Sequence, residues 1–337
     1  KAGDITKEDL AGFLFDSLRN KIMPLADDVI VYPAHGAGSA CGKNMMKETV
    51  DTLGNQKQMN YALRADMTKE EFIAEVTDGL LPPPQYFPLN VKMNKEGYDD
   101  IDEVLKRGTK ALSPNAFEVL ANETGAIVLD VRHQSEFVKG HIPRSIFIGI
   151  DGGFAPWVGA LITDIKQPIV IITEEGRAEE VVTRLSRVGY DNTLGYLKGG
   201  VSAWEAAGKE VESVESITPA EFAARKSNGK VDQVIDVRKP TEFLAHHVVG
   251  ATNIPLDYIN ANMQKFDDDK TYYLHCAGGY RSMIASSILK SRGIHNIVDV
   301  QEGFSGIEKD GNVELTNYTC PSTIDQEVID NAVKEVI

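Results

Sequence analysis

The sequence predicts an α/β protein that contains two copies of a compact parallel-sheet domain of about 100 residues. Three observations predict this fold class. A segment that begins at Leu129 recurs at Ile235, short apolar runs alternate with helical segments in both copies, and 337 residues exceed what one hydrophobic core usually serves. With 42% hydrophobic and 25% charged residues, the composition is that of a globular protein.

Four polar positions recur at one spacing. Each residue of the first set has the same residue type 106 positions later: Asp130, Arg132, Glu136 and His141, then Asp236, Arg238, Glu242 and His247. Four matches at a single offset are hard to reach by chance and indicate a duplicated domain. A strand-end aspartate and arginine with a later glutamate can form ion pairs, so we expect Asp236, Arg238 and Glu242 to give structural support. His247 is expected to be a packing residue.

The elements around these positions recur as well. Ser113 and Thr218 are helix-capping residues followed by proline, and Glu221 completes a capping box at the second. The apolar runs 168–172 and 272–275 predict buried strands, each followed by a helix that ends at a glycine. We therefore predict a region at 1–110, domains at 111–210 and 211–318, and a C-terminal tail at 319–337.

The net charge and the cysteine content limit which partners and which compartment are expected. The formal net charge of −15 disfavours nucleic acid and anionic membrane surfaces as partners. No apolar stretch has the length of a membrane span, and no signal-peptide pattern opens the chain. Three cysteines far apart do not form a disulfide framework, which favours the reducing cytoplasm.

Cys276 lies in a glycine-rich turn between a predicted strand and a predicted helix. Main-chain N–H groups in such a turn can point at one central atom, and a helix N-terminus adds positive potential, so the setting favours a thiolate. A cysteine at a strand end is otherwise commonly a small buried hydrophobe, but this context favours a nucleophile. The residues expected to bind its substrate follow it directly: Ala277, Gly278, Gly279, Tyr280, Arg281 and Ser282.

The Asp236-Val-Arg238 segment, the later Glu242 and His247, and an arginine five positions after the cysteine resemble the rhodanese family over about two thirds of the chain. The resemblance implies two rhodanese-like α/β domains and thiosulfate sulfurtransferase activity. Cys276 would accept sulfane sulfur from thiosulfate or a persulfide such as glutathione persulfide and pass it to a thiol. Arg281 and the loop amides would hold the donor. The six-residue loop is the size found in sulfurtransferases, whereas related phosphatases have a loop one residue longer.

The first repeat lacks this chemistry. Thr173 falls at the position of the nucleophile, and Glu174 and Glu175 would repel an anionic donor. Because Arg177 follows Thr173 after only four positions, the loop is expected to be one residue shorter. We predict an inactive domain with a docking or structural role.

The segment 32–39, in which Tyr-Pro-Ala-His35 precedes Gly-Ala-Gly-Ser, resembles the late part of a metallo-β-lactamase fold, in the branch of persulfide dioxygenases and glyoxalase II. The resemblance implies the partial C-terminal portion of an αββα fold and places His35 at the iron or zinc centre of a complete parent. A structural loop histidine is the alternative. The main histidine cluster of that family is missing and the chain begins with Lys1, so we expect a fragment that holds no catalytic metal.

Three functions remain open from the sequence. The first is a sulfurtransferase, and the second is a fragment of a non-haem-iron persulfide dioxygenase or a metallo-β-lactamase-fold hydrolase. The third is a non-catalytic persulfide carrier or docking module. The expected partners are small sulfur donors and thiol acceptors, and a homo-oligomer is left open. Cys320 is either a resolving thiol or a plain surface thiol.

Overall fold

The structure is a computed structural model that describes residues 5–34, 49–77, 87–267 and 269–336. The chain forms two compact units, Lys1–Pro82 and Pro83–Ile337. His35 lies outside the described residues, so the prediction made for it is not addressed by the geometry. None of the described helices is long and apolar enough to cross a membrane.

The described part of the first unit consists of short helices and one antiparallel strand pair. Helix α1 (Lys7–Ser17) continues into a π-helical turn at Leu18–Ile22, strands β1 (Ile30–Val31) and β2 (Asp51–Thr52) pair, and α2 (Leu53–Met59), a 3-10 turn at Tyr61–Leu63 and α3 (Lys69–Thr77) follow. Thr6 and Asp9 form a capping box that begins α1. Phe72 of α3 is fully buried and packs edge-on against Phe15 of α1, with ring centroids 5.4 Å apart.

The second unit opens with two helices and continues with the first repeat. The two helices are α4 (Phe87–Glu96) and α5 (Ile101–Gly108). The strands of the repeat are β3 (Ala111–Leu112), β4 (Ile127–Asp130), β5 (Ile146–Phe147), β6 (Ile169–Ile172) and β7 (Thr193–Leu197). Its helices are α6 (Pro114–Thr124), α7 (Gln134–Phe137), α8 (Phe154–Leu161), α9 (Ala178–Ser186) and α10 (Gly200–Ala206). Helix α5 packs against α9 and β7 of this repeat.

The second repeat has the same sequence of elements. Its strands are β8 (Glu215–Ile217), β9 (Gln233–Asp236), β10 (Thr252–Asn253), β11 (Tyr272–His275) and β12 (Ile297–Val300). Its helices are α11 (Pro219–Ser227), α12 (Pro240–Ala245), a 3-10 segment at Leu256–Lys265, α13 (Tyr280–Ser291) and α14 (Gly303–Asp310). A 3-10 turn at Pro321–Thr323 and α15 (Gln326–Lys334) form the tail, and α15 packs against α12.

Both repeats fold into five-stranded parallel sheets with one topology. The strand order is β3-β7-β6-β4-β5 in the first sheet and β8-β12-β11-β9-β10 in the second, when both are read in the same direction. The central strands β6 and β11 are buried along their whole length, as parallel strands covered on both faces should be. The prediction of two parallel-sheet α/β domains is confirmed.

Three of the four repeated polar residues make the same contacts in both copies. Arg132 and Arg238 each form a forked ion pair with the aspartate two positions earlier, and each donates to a main-chain carbonyl eight positions later. His141 stacks on Phe137 at 4.0 Å between centroids, and His247 stacks on Phe243 at 3.7 Å. The duplication therefore extends from the sequence to the contacts of side chains.

The two repeats share a hydrophobic core. Ile284 and Ile288 of α13 belong to the same buried cluster as Phe147 and Ile148 of the first repeat. Small buried residues on α13 let the helix lie close to β5, the last strand of the first sheet. The N–H of Phe147 donates to the hydroxyl of Ser287 at 2.9 Å, so a side chain of the second repeat satisfies an edge-strand donor of the first.

Candidate functional site

Cys276 occupies a closed turn between β11 and α13. Strand β11 ends at His275, Gly279 adopts a left-handed conformation with φ of +95°, and α13 begins at the next residue. Because a residue with a Cβ is strained in that conformation, glycine allows the chain to reverse within three residues of the cysteine. The Cys276 side chain is buried, and its Sγ accepts the N–H of Gly279 at 3.1 Å. The sulfur therefore sits at the N-terminus of a twelve-residue helix.

A second helix holds the loop from the other side. The N–H of Phe304 donates to the carbonyl oxygen of Cys276 at 2.6 Å, and the N–H of Ser305 donates to that of Ala277 at 3.1 Å. Gly303, with φ of +56°, begins α14 against this stretch, and a Cβ there would lie 2.8 Å from the carbonyl carbon of Ala277. Because glycine has no Cβ, Gly303 allows α14 to approach the cysteine loop.

Arg281 lies at the start of α13 and is bound by Glu242. Its two terminal nitrogens donate to the two carboxylate oxygens of Glu242, at 2.6 and 2.8 Å. Burial alone would raise the pKa of Glu242, but the hydrogen bonds and charge of Arg281 bring that pKa below its ordinary value. The same pair raises the pKa of Arg281. From the sequence we expected Arg281 to hold a donor and Glu242 to support the fold. In the structure the two residues form an ion pair with each other.

The remaining support residues lie beneath the loop. Asp236 is fully buried and both of its oxygens accept from Arg238, whose Nη2 also donates to the carbonyl of His246 at 2.7 Å. The guanidinium of Arg238 covers the ring of Phe304 at 4.0 Å. This pair therefore connects the end of β9 to the helix that holds the cysteine loop.

Two residues expected to bind substrate direct their side chains elsewhere. The hydroxyl of Tyr280 donates to the carbonyl of Gly149 in the first repeat at 2.6 Å, and burial raises the pKa of this tyrosine. Ser282 is fully buried and donates to Asp299 at 2.8 Å. Residues at the first positions of a helix point in directions about 100° apart, so not all of them can face the sulfur. Ala277 and Gly278 form the outer part of the turn, where Gly278 is exposed.

Asp299 was not singled out from the sequence. It lies on β12, is 3% exposed, and accepts from Ser282 at 2.8 Å and from Ser216 at 3.1 Å. Burial raises its pKa to about 6 despite these two hydrogen bonds. The available signal was an aspartate within the apolar run Ile297–Val300, since a charged residue in a buried strand usually has a specific partner.

His275 precedes the cysteine and is fully buried. Burial lowers its pKa, which keeps the imidazole neutral near pH 7. Its Nε2 lies 4.0 Å from a carboxylate oxygen of Asp236, and its Nδ1 is 3.4 Å from the carbonyl of Cys276. Neither of these contacts is with the sulfur.

The loop of the first repeat shares one feature with the cysteine loop. Gly176 is left-handed with φ of +82° and lies three positions after Thr173, as Gly279 lies three positions after Cys276. The helix that follows begins later, because α9 begins at Ala178, five positions after Thr173, whereas α13 begins at Tyr280, four positions after Cys276. Counted to its arginine, the first loop is one residue shorter, since Arg177 follows the glycine directly whereas Arg281 comes one position later.

Carboxylates bind the arginine of this first loop. Arg177 donates to both oxygens of Asp151, at 2.9 and 2.7 Å, and to Glu180 at 2.9 Å, and it lies 3.4 Å from Glu174. Thr173 is buried, and its hydroxyl makes no hydrogen bond with any residue that the structure describes. The first repeat therefore keeps the strand, turn and helix of the site. It has threonine in place of cysteine, and carboxylates bind the arginine at the end of its loop.

The described residues contain no group of three or more histidine, cysteine, aspartate or glutamate side chains that could hold a metal ion. His35, the residue expected at the metal centre of a complete parent, lies outside them. Cys320 is exposed in the tail.

A family model described as Rhodanese-like domain matches residues 113–207 and 218–310, which together are more than half of the chain. The chain belongs to the rhodanese family. The tandem arrangement predicted from the repeat is thus confirmed. Membership of this family supports sulfur transfer in general as the activity of the chain.

Two similar proteins each match about a quarter of the chain. The uncharacterized protein YqhL of Bacillus subtilis is 37% identical over 93 residues, which are 27% of this chain and 70% of YqhL. The thiosulfate sulfurtransferase GlpE of Pseudomonas entomophila is 28% identical over 88 residues, which are 26% of this chain and 79% of GlpE. A crystal structure of a metallo-beta-lactamase from Staphylococcus aureus covers 55% of this chain and 49% of its own, at 28% identity and a TM-score of 0.44.

Proposed function

We propose that the chain is a sulfurtransferase in which Cys276 carries the transferred sulfur as a persulfide. The observation that supports this most directly is the position of Sγ, which accepts the N–H of Gly279 at the N-terminus of α13. An N–H donor and a helix N-terminus both stabilise negative charge on sulfur. Membership of the rhodanese family supports the same chemistry.

The reaction has two balanced steps. In the first, the Cys276 thiolate attacks the outer sulfur of the donor, the donor S–S bond breaks, and the leaving group departs with the bonding electron pair. A persulfide donor releases a thiolate and thiosulfate releases sulfite, while Cys276 becomes a persulfide. In the second, a thiolate acceptor attacks the outer sulfur of that persulfide, and Cys276 leaves as the thiolate. No metal or organic cofactor takes part in these steps.

The surroundings of the loop suit this cycle. The added sulfur extends from Cys276 into the turn lined by the main chain of Ala277, Gly278 and Gly279, whose N–H groups can stabilise its charge. Hydrogen bonds from α14 to the carbonyls of Cys276 and Ala277 keep the turn in place through both steps. The buried, neutral His275 takes no part in proton transfer in this scheme.

Mass spectrometry of the full chain tests the proposal. After incubation with thiosulfate or 2-hydroxyethyl persulfide, the peptide that contains Cys276 should gain one sulfur atom, and cyanide should remove it as thiocyanate. Cys276→Ser should abolish thiocyanate formation, whereas Cys320→Ser, which alters an exposed cysteine of the tail, should retain it. An unlabelled Cys276 with both donors would refute the proposal. Labelling without turnover would instead favour a persulfide carrier.

A further inference from the structure

The arginine at the end of the cysteine loop already has an anionic partner. Arg281 uses its terminal nitrogens to bind both oxygens of Glu242, at 2.6 and 2.8 Å. The Arg281 side chain is 17% exposed and that of Glu242 is 34% exposed, so the pair is largely shielded from water. The guanidinium binds the carboxylate in a bidentate manner, which is the geometry with which arginine would otherwise bind a sulfonate or another oxyanion.

The other nearby guanidinium is occupied in the same manner. Arg238 is 5% exposed, and its donors go to both oxygens of Asp236 and to the carbonyl of His246. The formal charge of −15 adds no long-range attraction for an anion. At the sulfur, the main-chain N–H of Gly279 and the partial positive charge of a helix N-terminus suit one negative charge.

We infer that Glu242 determines which donors the Cys276 site accepts: by occupying Arg281, it selects persulfides with uncharged substituents and disfavours donors that carry an oxyanion beside the transferred sulfur. This inference rests on the proposed sulfur transfer. Attack of the Cys276 thiolate on the thiosulfate dianion brings three negative charges into the turn, which the new persulfide and the leaving sulfite share, while Glu242 keeps Arg281 neutralised. Attack on the neutral form of an alkyl persulfide releases one thiolate, and the net charge there stays at minus one.

The first repeat provides a matched control for a change of charge. Glu136 lies 106 positions before Glu242 on the equivalent helix, but it is exposed and pairs with Lys139 at 2.9 Å. Glu136→Gln and Glu242→Gln therefore remove the same charge from equivalent places in the two repeats. Only Glu242→Gln frees an arginine at a cysteine loop.

The experiment compares kcat/KM for 2-hydroxyethyl persulfide and thiosulfate in the wild-type chain and these two variants. The wild type should prefer the persulfide. Glu242→Gln should raise kcat/KM for thiosulfate about tenfold and change that for the persulfide less than about threefold, because Arg281 becomes available to the sulfonate. Glu136→Gln should change neither constant. Glu242→Asp, which keeps the charge, should keep the wild-type preference.

The outcomes separate this inference from the function on which it rests. If Cys276 takes sulfur from neither donor, the proposed function fails and the inference fails with it. If Cys276 is labelled but Glu242→Gln lowers both constants equally, Glu242 only positions Arg281 and the inference is overturned. Should Glu242→Gln not fold, the wild type is given the persulfide of 2-mercaptoethanesulfonate, which differs by one sulfonate. A rate about tenfold below that of 2-hydroxyethyl persulfide supports the inference, and equal rates refute it.

Discussion

The N–H of Phe304 donates a 2.6 Å hydrogen bond to the carbonyl oxygen of Cys276. Cys276 is therefore positioned by two helices, since α13 begins after its turn and α14 begins against its main chain. Gly303 makes this approach sterically feasible, because it has no Cβ at the point where the two segments meet. The contact implies that the geometry of the site depends on a residue that comes 27 positions after the cysteine.

Gly303→Ala should displace the cysteine loop. The new Cβ would lie 2.8 Å from the carbonyl carbon of Ala277, and the residue would keep a φ of +56° that alanine disfavours. We expect a loss of roughly 3 kcal/mol or more in unfolding free energy, together with loss of sulfur transfer. Gly311→Ala is the control, because Gly311 is also left-handed but has open space around it, and its cost should be about 1–2 kcal/mol. Equal costs in urea denaturation would contradict the steric argument.

Asp299→Asn should change how stability depends on pH. The folded-state pKa of Asp299 is raised to about 6, above its unfolded value of about 4, so its contribution is fully present below pH 4 and is lost as pH rises through 6. The unfolding free energy of the variant relative to the wild type should therefore rise by about 3 kcal/mol between pH 4 and pH 7. Urea titrations across this range measure it. The exposed Glu314→Gln is the control, and a flat difference for Asp299→Asn would refute the assignment.

Tyr280→Phe should weaken the contact between the repeats. The substitution removes the hydroxyl that donates to the carbonyl of Gly149 at 2.6 Å and leaves that carbonyl without this donor. We expect a loss of about 1–2 kcal/mol in unfolding free energy. Tyr318→Phe, at a tyrosine that is 67% exposed, should cost far less. If both variants unfold at the same denaturant concentration, the Tyr280 bond contributes no net stability.

Thr173→Cys in a Cys276→Ser background should not restore sulfur transfer. The new thiol would lie three positions before a left-handed glycine, as Cys276 does, but Glu174 and Glu175 stand where the cysteine loop has alanine and glycine, and Arg177 is bound by Asp151. Mass spectrometry after treatment with 2-hydroxyethyl persulfide should show no sulfur on residue 173. Labelling within about tenfold of the rate at Cys276 would show that the turn alone suffices.

The duplicated fold could be predicted from the sequence because its signals are local. Ser113 and Thr218 cap the helices that follow them, and Pro114 and Pro219 stand at the first helical position, as expected. The offset of 106 positions predicted that Arg132 and Arg238 would have equivalent partners, and both do. Patterns of this kind depend on neighbours a few residues apart, which the sequence displays directly.

The parts of the site that could not be predicted depend on distant partners. Glu242 and Arg281 are 39 positions apart, and nothing in the sequence indicates that one would occupy the other. Tyr280 looks like a loop residue, yet its side chain packs on the first repeat 131 positions away. The sequence identifies which residues can do chemistry, whereas their directions follow from the packing of elements that are far apart in the chain.

The hydrogen bond from the N–H of Phe147 to the hydroxyl of Ser287 joins the first repeat to the second. Strand β5 ends the first sheet, and α13 of the second repeat covers its outer edge. An uncovered strand edge is a template on which other chains add strands and aggregate. The repeat that lacks the cysteine is therefore protected from aggregation by the repeat that carries it, and the first copy is not a freely exchangeable module.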